Sequence, residues 1–155
     1  FFRAAAAALA RGRRPYAASA PPPPPSPGTF TPRPPAGMSD VLFVEVGTGA
    51  DQHGQDATKA AVRACRNAIE FNSIPSIAKV VPGGYGGMKL HVKVGVPHPA
   101  AVDVDKVRAV FPYGTLLPVE VVEGGLSCGS GIAIEEMGDE NDDFFVAVAA
   151  VTVGW

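Results

Sequence analysis

The first 39 residues of this chain contain no aspartate or glutamate. They do carry five arginines (Arg3, Arg11, Arg13, Arg14 and Arg33) and ten of the 16 prolines. The run Pro21 to Pro35 cannot pair its backbone as helix or sheet and reads as a polyproline-like tether. Phe1 to Arg14 alternates Ala and Leu with Arg, the make-up of an organelle-targeting helix. A chain opening on Phe is expected to be a piece of a longer precursor. Residues 1–38 are therefore expected to be a disordered presequence and tether, with one domain over 39–155. Arg14-Pro15-Tyr16-Ala17 resembles a mitochondrial processing site and serine is sparse for a plastid peptide, so the mitochondrion is expected ahead of the chloroplast.

Other absences narrow the class. Two cysteines, Cys65 and Cys128, do not make a disulfide framework, and reduced thiols suit an organelle interior. No apolar run approaches the roughly 20 residues that cross a bilayer as a helix, so no membrane span is expected. With five of its 13 basic residues in the prefix, the chain keeps eight against 15 acidic ones beyond residue 39, a net of about −7. A domain so acidic, with no basic stripe and no aromatic–basic interleaving, argues against nucleic acid as a partner.

What is present from Ser39 onward is regular. Val41–Val46 reads as a buried strand. Asp56, a good N-cap, opens a helix to about Asn72, with Ala57, Ala61, Ala64, Cys65 and Ala68 on one face. That stripe of small residues predicts a helix lying close against a sheet. Ile74 to Met88 reads as loop, with Gly83-Gly84-Tyr85-Gly86-Gly87 a candidate lid or simply a loop. Lys89–Val96 alternates strictly and predicts a half-exposed strand with Leu90, Val92, Val94 and Val96 inward. Asp103–Phe111 predicts a short helix, Leu116–Val122 a third strand, Ile132–Ile134 a fourth and Phe144–Val153 a long fifth. The order β-α-β-α-β-β-β gives an α+β fold, a single mixed sheet layered with two helices.

Between the first strand and helix stands Gly47-Thr48-Gly49-Ala50-Asp51-Gln52-His53-Gly54. Read as a strand-to-helix turn, it puts unpaired helix amides beside an acid and an imidazole. Two phosphate motifs fail on it. Gly49-x-x-x-x-Gly54 has P-loop spacing but is followed by Gln55-Asp56 instead of Lys-Ser/Thr, and the dinucleotide fingerprint lacks its third glycine at Gln52. Asp51 and Asp56 also place negative charge where a phosphate would sit. Three readings stay open. Gly47, Gly49 and Gly54 allow positive φ, Asp51 makes an Asx-turn and His53 closes the loop; or Asp51 orients His53, which moves a proton; or both bind a divalent metal with a third ligand such as His91 or His98.

The pattern GxGxDxHG resembles a signature of the conserved-hypothetical "Lin" family of Firmicutes, cyanobacteria and plants, over about residues 41–155. The long prefix fits a plant member. The family has no established activity, so the resemblance implies kinship and not a reaction. The strand order also looks similar to chorismate-mutase-like and YjgF-like layered folds, which assemble as rings with ligands between subunits.

The expected site is thus catalytic Asp51 and His53, with Gly47, Gly49, Gly54, Lys59, His91 and Lys93 as ligand-binding candidates, serving a small molecule. His91 shares its strand face with Lys89 and Lys93, which suits either a solvated or inter-subunit face or a carboxylate site. Ser127 to Gly131 offers nucleophiles without a base. Asp139–Asp143 lacks the loop length and closing Glu of an EF-hand and reads as a solvated hairpin tip. The small size and half-exposed strands predict a homo-oligomer, a trimer or a multiple of one. The competing expectation is a non-catalytic assembly module.

Overall fold

A computed structural model describes residues 33–155. The presequence expectation falls largely on residues outside those described. Six strands form one mixed sheet: β1 (Val41–Asp51), β2 (Lys89–Val96), β3 (Thr115–Leu116), β4 (Glu120–Glu123), β5 (Leu126–Gly129) and β6 (Asp143–Gly154). The path is β1-β6-β2-β3, with β4 also on β2 and β5 also on β6. Every pairing of β6 is antiparallel, while β2 runs parallel to β3 and β4. The long C-terminal strand β6 is therefore central, flanked by β1 on one side and by β2 and β5 end to end on the other.

The main helix, α1 (Ala57–Ile69), lies across β1, β6 and β2. Its N-cap is Asp56, whose carboxylate accepts from the Lys59 amide at 3.0 Å. Ala57, Ala60, Ala61, Ala64, Cys65 and Ala68 are buried beneath it. Facing them, Val92, Val94, Val96, Ala147, Ala149 and Val151 are wholly inaccessible. The core is thin because small residues meet small residues. Two further helices are short, α2 (Ile77–Val80) and α3 (Val104–Arg108), the latter capped by Asp103.

The α+β class and the single mixed sheet agree with the sequence reading, and several details differ, one being that α2 lies inside the expected loop Ile74–Met88. The predicted strand Leu116–Val122 is broken into β3 and β4, because Pro118 between them has no N–H to give the ladder. Ile132–Ile134 is not a strand; Ile132 is exposed and the pairing in that region is made earlier, by β5. β1 is not buried on both sides. It is an edge strand, and Val44 and Val46 stand 54% and 66% exposed on the face away from α1. The domain's contacts also begin before residue 39: Met38 is buried and the Lys89 ammonium donates to the Gly37 carbonyl.

Candidate functional site

The stretch 47–54 is mostly strand. β1 continues through Asp51, with Gly47 opposite Ala149 and Gly49 opposite Ala147 on β6. Neither glycine has positive φ; in this stretch only Gly54 does, at 91°. Their role is close approach. A Cβ at 47 would overlap the Ala64 carbonyl oxygen and the Ala68 amide nitrogen, and one at 49 would overlap the Ala64 amide and the Ala60 carbonyl. Glycines on the strand and alanines on the helix let two backbones meet, which corrects the expectation that Gly47 and Gly49 shape a turn.

The turn itself is short, Gln52 to Asp56. Asp51, at the end of β1 and only 2% exposed, accepts from the Asp56 amide at 3.0 Å and from Arg63 Nη1 at 3.0 Å. Lys59 Nζ is 3.9 Å away. Arg63 also donates to the Ala50 carbonyl at the sheet edge. Lys59 and Arg63 are one turn apart on α1, so the helix holds two cations over a buried carboxylate. Asp51 is thus fully engaged with the start of α1 and has no hydrogen bond to His53.

His53 is oriented by a different acid. Its Nδ1 lies 2.8 Å from Asp139 Oδ2. The Asp139 side chain is 1% exposed and accepts two backbone bonds besides, from Gly54 N at 2.7 Å and Ile134 N at 2.8 Å. The His53 bond first, then the Ile134 and Gly54 amides, pull its carboxyl down to about 2 against the opposing effect of desolvation. Asp139 is therefore no solvated tip. Gly138, at φ 84°, turns it inward, and Gln55 ties the loops further by accepting from the Glu140 amide and donating to the Asn141 and Asp143 carbonyls. Gln55 itself holds φ 45°, unusual for a side chain of its type.

The remaining candidates fall elsewhere. His91 and Lys93 lie on the uncovered face of β2, both paired to Glu120 at 3.1 Å. His91 stands opposite Thr152 and Asp51 opposite Phe145, seven residues apart on β6 and on opposite faces. That is a separation of roughly 23 Å along the strand. His98, at φ 56°, packs against Phe145 with ring centroids 5.3 Å apart and planes inclined at 55°, at the His53 end of the sheet. Among the described residues no group of three or more His, Cys, Asp or Glu is arranged to hold a metal ion. The donor set around His53 consists of one imidazole and acids already committed to backbone amides and Arg63. Divalent metal is not what this geometry favours.

These features define a single-sheet α+β protein carrying an acid-supported imidazole where its main helix begins. The chain belongs to the family described as conserved hypothetical protein (Lin0512_fam), whose model matches residues 41–153, as the resemblance implied. A similar solved structure is that of an FtsZ-like protein of unknown function from Nostoc punctiforme. It is 42% identical, the match covers 76% of this chain and 97% of that one, and the TM-score is 0.67. No curated protein matches the chain.

Proposed function

We propose that this is a small-molecule-binding protein in which His53 holds and moves a proton, with Asp139 and not Asp51 as its orienting acid. The observation that carries the reading is the Nδ1–Asp139 contact at 2.8 Å to a carboxylate that two backbone amides hold in place. A carboxylate on Nδ1 selects the tautomer with its proton there and leaves Nε2 as the acceptor. His53 is 27% exposed, open to a ligand from one side. Lys59 and Arg63, each about half exposed, supply positive charge beside the loop. Asp51, Asp56 and Asp139 balance them, so the reading favours a small polar substrate without a phosphate.

The test is nitrogen-resolved NMR of His53 together with a panel of small polar compounds screened by thermal shift. The parent should show the Nδ1–H tautomer, and Asp139→Asn should redistribute it. At least one compound should stabilise the parent, move the His53 resonances and lose its effect in His53→Ala. A panel that stabilises parent and His53→Ala equally would overturn the reading and leave Asp139 as a loop clamp.

A second reading concerns assembly. Val44, Val46, Val122, Leu126 and Val148 are exposed, and the strand register puts all five on the sheet face that α1 does not cover. The same face carries His91, Lys93 and Glu120, so it holds both signs of charge beside an apolar stripe and is complementary to a second copy of itself. A homo-oligomer closing over this face is the proposal, read as a mass by light scattering. Import into an organelle, the mitochondrion before the chloroplast, rests on the acid-free prefix and is read by locating a tagged precursor.

A further inference from the structure

At the far end of α1 from His53 the covered face of the sheet is left open. α1 ends at Ile69, and Phe43 and Glu45 project from the face that Gly47 and Gly49 occupy, on the part of β1 before the glycines that meet α1. A cavity of about 270 Å³ results, walled by β1, the end of α1, α2, the start of β2 and the segment after α3. Four aromatic residues line it, Phe43, Tyr85, Phe111 and Tyr113. The two tyrosine rings stand 6.4 Å apart and inclined at 49°. Both are exposed and sit at the mouth. Tyr85 rides on the glycine-rich turn, where Gly83 and Gly84 have φ 81° and 61°.

Glu45 is the one carboxylate in the lining. It accepts from Asn72 Nδ2 at 2.6 Å, and that same nitrogen donates to the Ala68 carbonyl at 2.8 Å. Asn72 thus pins the carboxylate and has no charge to offer it. Among the described residues no lysine, arginine or histidine pairs with Glu45. An anion turned into a mostly aromatic and aliphatic wall lacks its natural counterpart. Aromatic faces attract cations as well, and more strongly where water is excluded. Pockets of this kind take a mainly apolar ligand fixed by a few polar groups.

We propose that this cavity binds a small organic ammonium compound, its cation on Glu45 and its apolar part among Phe43, Phe111 and the two tyrosines, with the glycine-flanked Tyr85 closing over it. The site is at the opposite end of α1 from His53 and does not depend on the proton-transfer reading.

The test uses the full chain and three probes of one shape: 2-phenylethylammonium, 2-phenylethanol and 3-phenylpropionate. Calorimetric titration should show the ammonium compound binding at least tenfold more tightly than the alcohol, with the carboxylate weakest. Glu45→Gln, which keeps the shape and the acceptor for Asn72, should remove that preference. Tyr113→Ala, at an exposed position that the fold does not need, should weaken the ammonium compound several-fold. His53→Ala should bind it as the parent does. The proposal is overturned if the ammonium compound does not bind, if the three probes bind alike, or if Glu45→Gln keeps the preference.

Discussion

The two faces of the sheet are built on opposite principles. Under α1 the residues are small and the fit is between backbones: Gly47 and Gly49 on the strand, Ala60, Ala64 and Ala68 on the helix. On the other face the residues are larger, Val44, Val46, Val148 and Leu126, and nothing among the described residues covers them. The covered face derives its stability from closeness, which one added methyl destroys. The open face should tolerate change in the monomer, and its apolar surface is what the proposed assembly would cover. Substitutions on the two faces should therefore fail in different ways.

The largest effect is expected at Gly47 and Gly49. Alanine at either position drives a Cβ into helix backbone, which cannot move aside as a flexible side chain would. Overpacking of a core costs about 1–3 kcal/mol and sometimes more, a large part of a small domain's stability. Urea denaturation of Gly49→Ala should show a clearly lowered midpoint, and the double variant should be largely unfolded. Gly86→Ala is the control, since a Cβ there meets nothing within 4 Å and its midpoint should match the parent's. Equal midpoints for Gly49→Ala and Gly86→Ala would show that α1 does not need the close approach.

Next in size is Asp139→Asn, which keeps the side chain's shape and removes its charge from between His53 and two amides. Its carboxyl is held down at about 2, so the sign is that of a depressed acid. Its stabilisation is present above the unfolded value of about 4 and is lost as pH falls through about 2. The parent's urea midpoint should therefore fall between those pH values, and the variant's should start lower at neutral pH and fall less. Asp142→Asn, on the same loop but exposed, should follow the parent.

How much of this the sequence shows depends on range. The α1 stripe, its Asp56 cap and the alternation of β2 are local patterns, and each appears in the structure close to where the periodicity puts it. Asp51 stands out by its spacing alone, and the structure buries it beside the start of α1. The partner of His53 could not be found that way. Asp139 is 86 residues distant, and the acids around it look like a solvated tip until β5 and β6 are paired. The glycines misled for a related reason: Gly-x-Gly reads as a turn by itself and as a helix contact only beside the alanines of α1. The cavity has no motif at all, since its lining comes from five separate segments.

A smaller effect on stability, and a large one on mass, is expected from Val46→Lys. Val46 is 66% exposed, so the folded monomer should lose no more than about 0.5 kcal/mol. If a second copy covers this face, the new ammonium group enters an apolar contact, in the same cross-strand row as Lys93, and blocks it. Light scattering should then give an oligomer for the parent and a monomer for the variant. Parent and variant of one mass would separate the exposed valines from any assembly.

The two cysteines give the smallest effect, a change in a rate, and it reports both faces at once. Cys65 lies on the inner face of α1 with no exposed surface, and burial pushes its thiol up to about 12. It is neither ionised nor reachable in the folded chain, so a disulfide reagent at pH 8 should modify it only as fast as the domain opens. Cys128 stands opposite Phe144 on β5, on the open face, and is partly accessible. If a second copy covers that face, the Cys128 thiol should react quickly in Val46→Lys and a few-fold more slowly in the parent. Gly49→Ala should leave Cys128 unchanged and speed Cys65, since it loosens only the covered side. Equal Cys128 rates in parent and Val46→Lys would mean that no copy closes over the open face, while a fast Cys65 in the parent would mean that α1 lifts from the sheet far more readily than its backbone contacts imply.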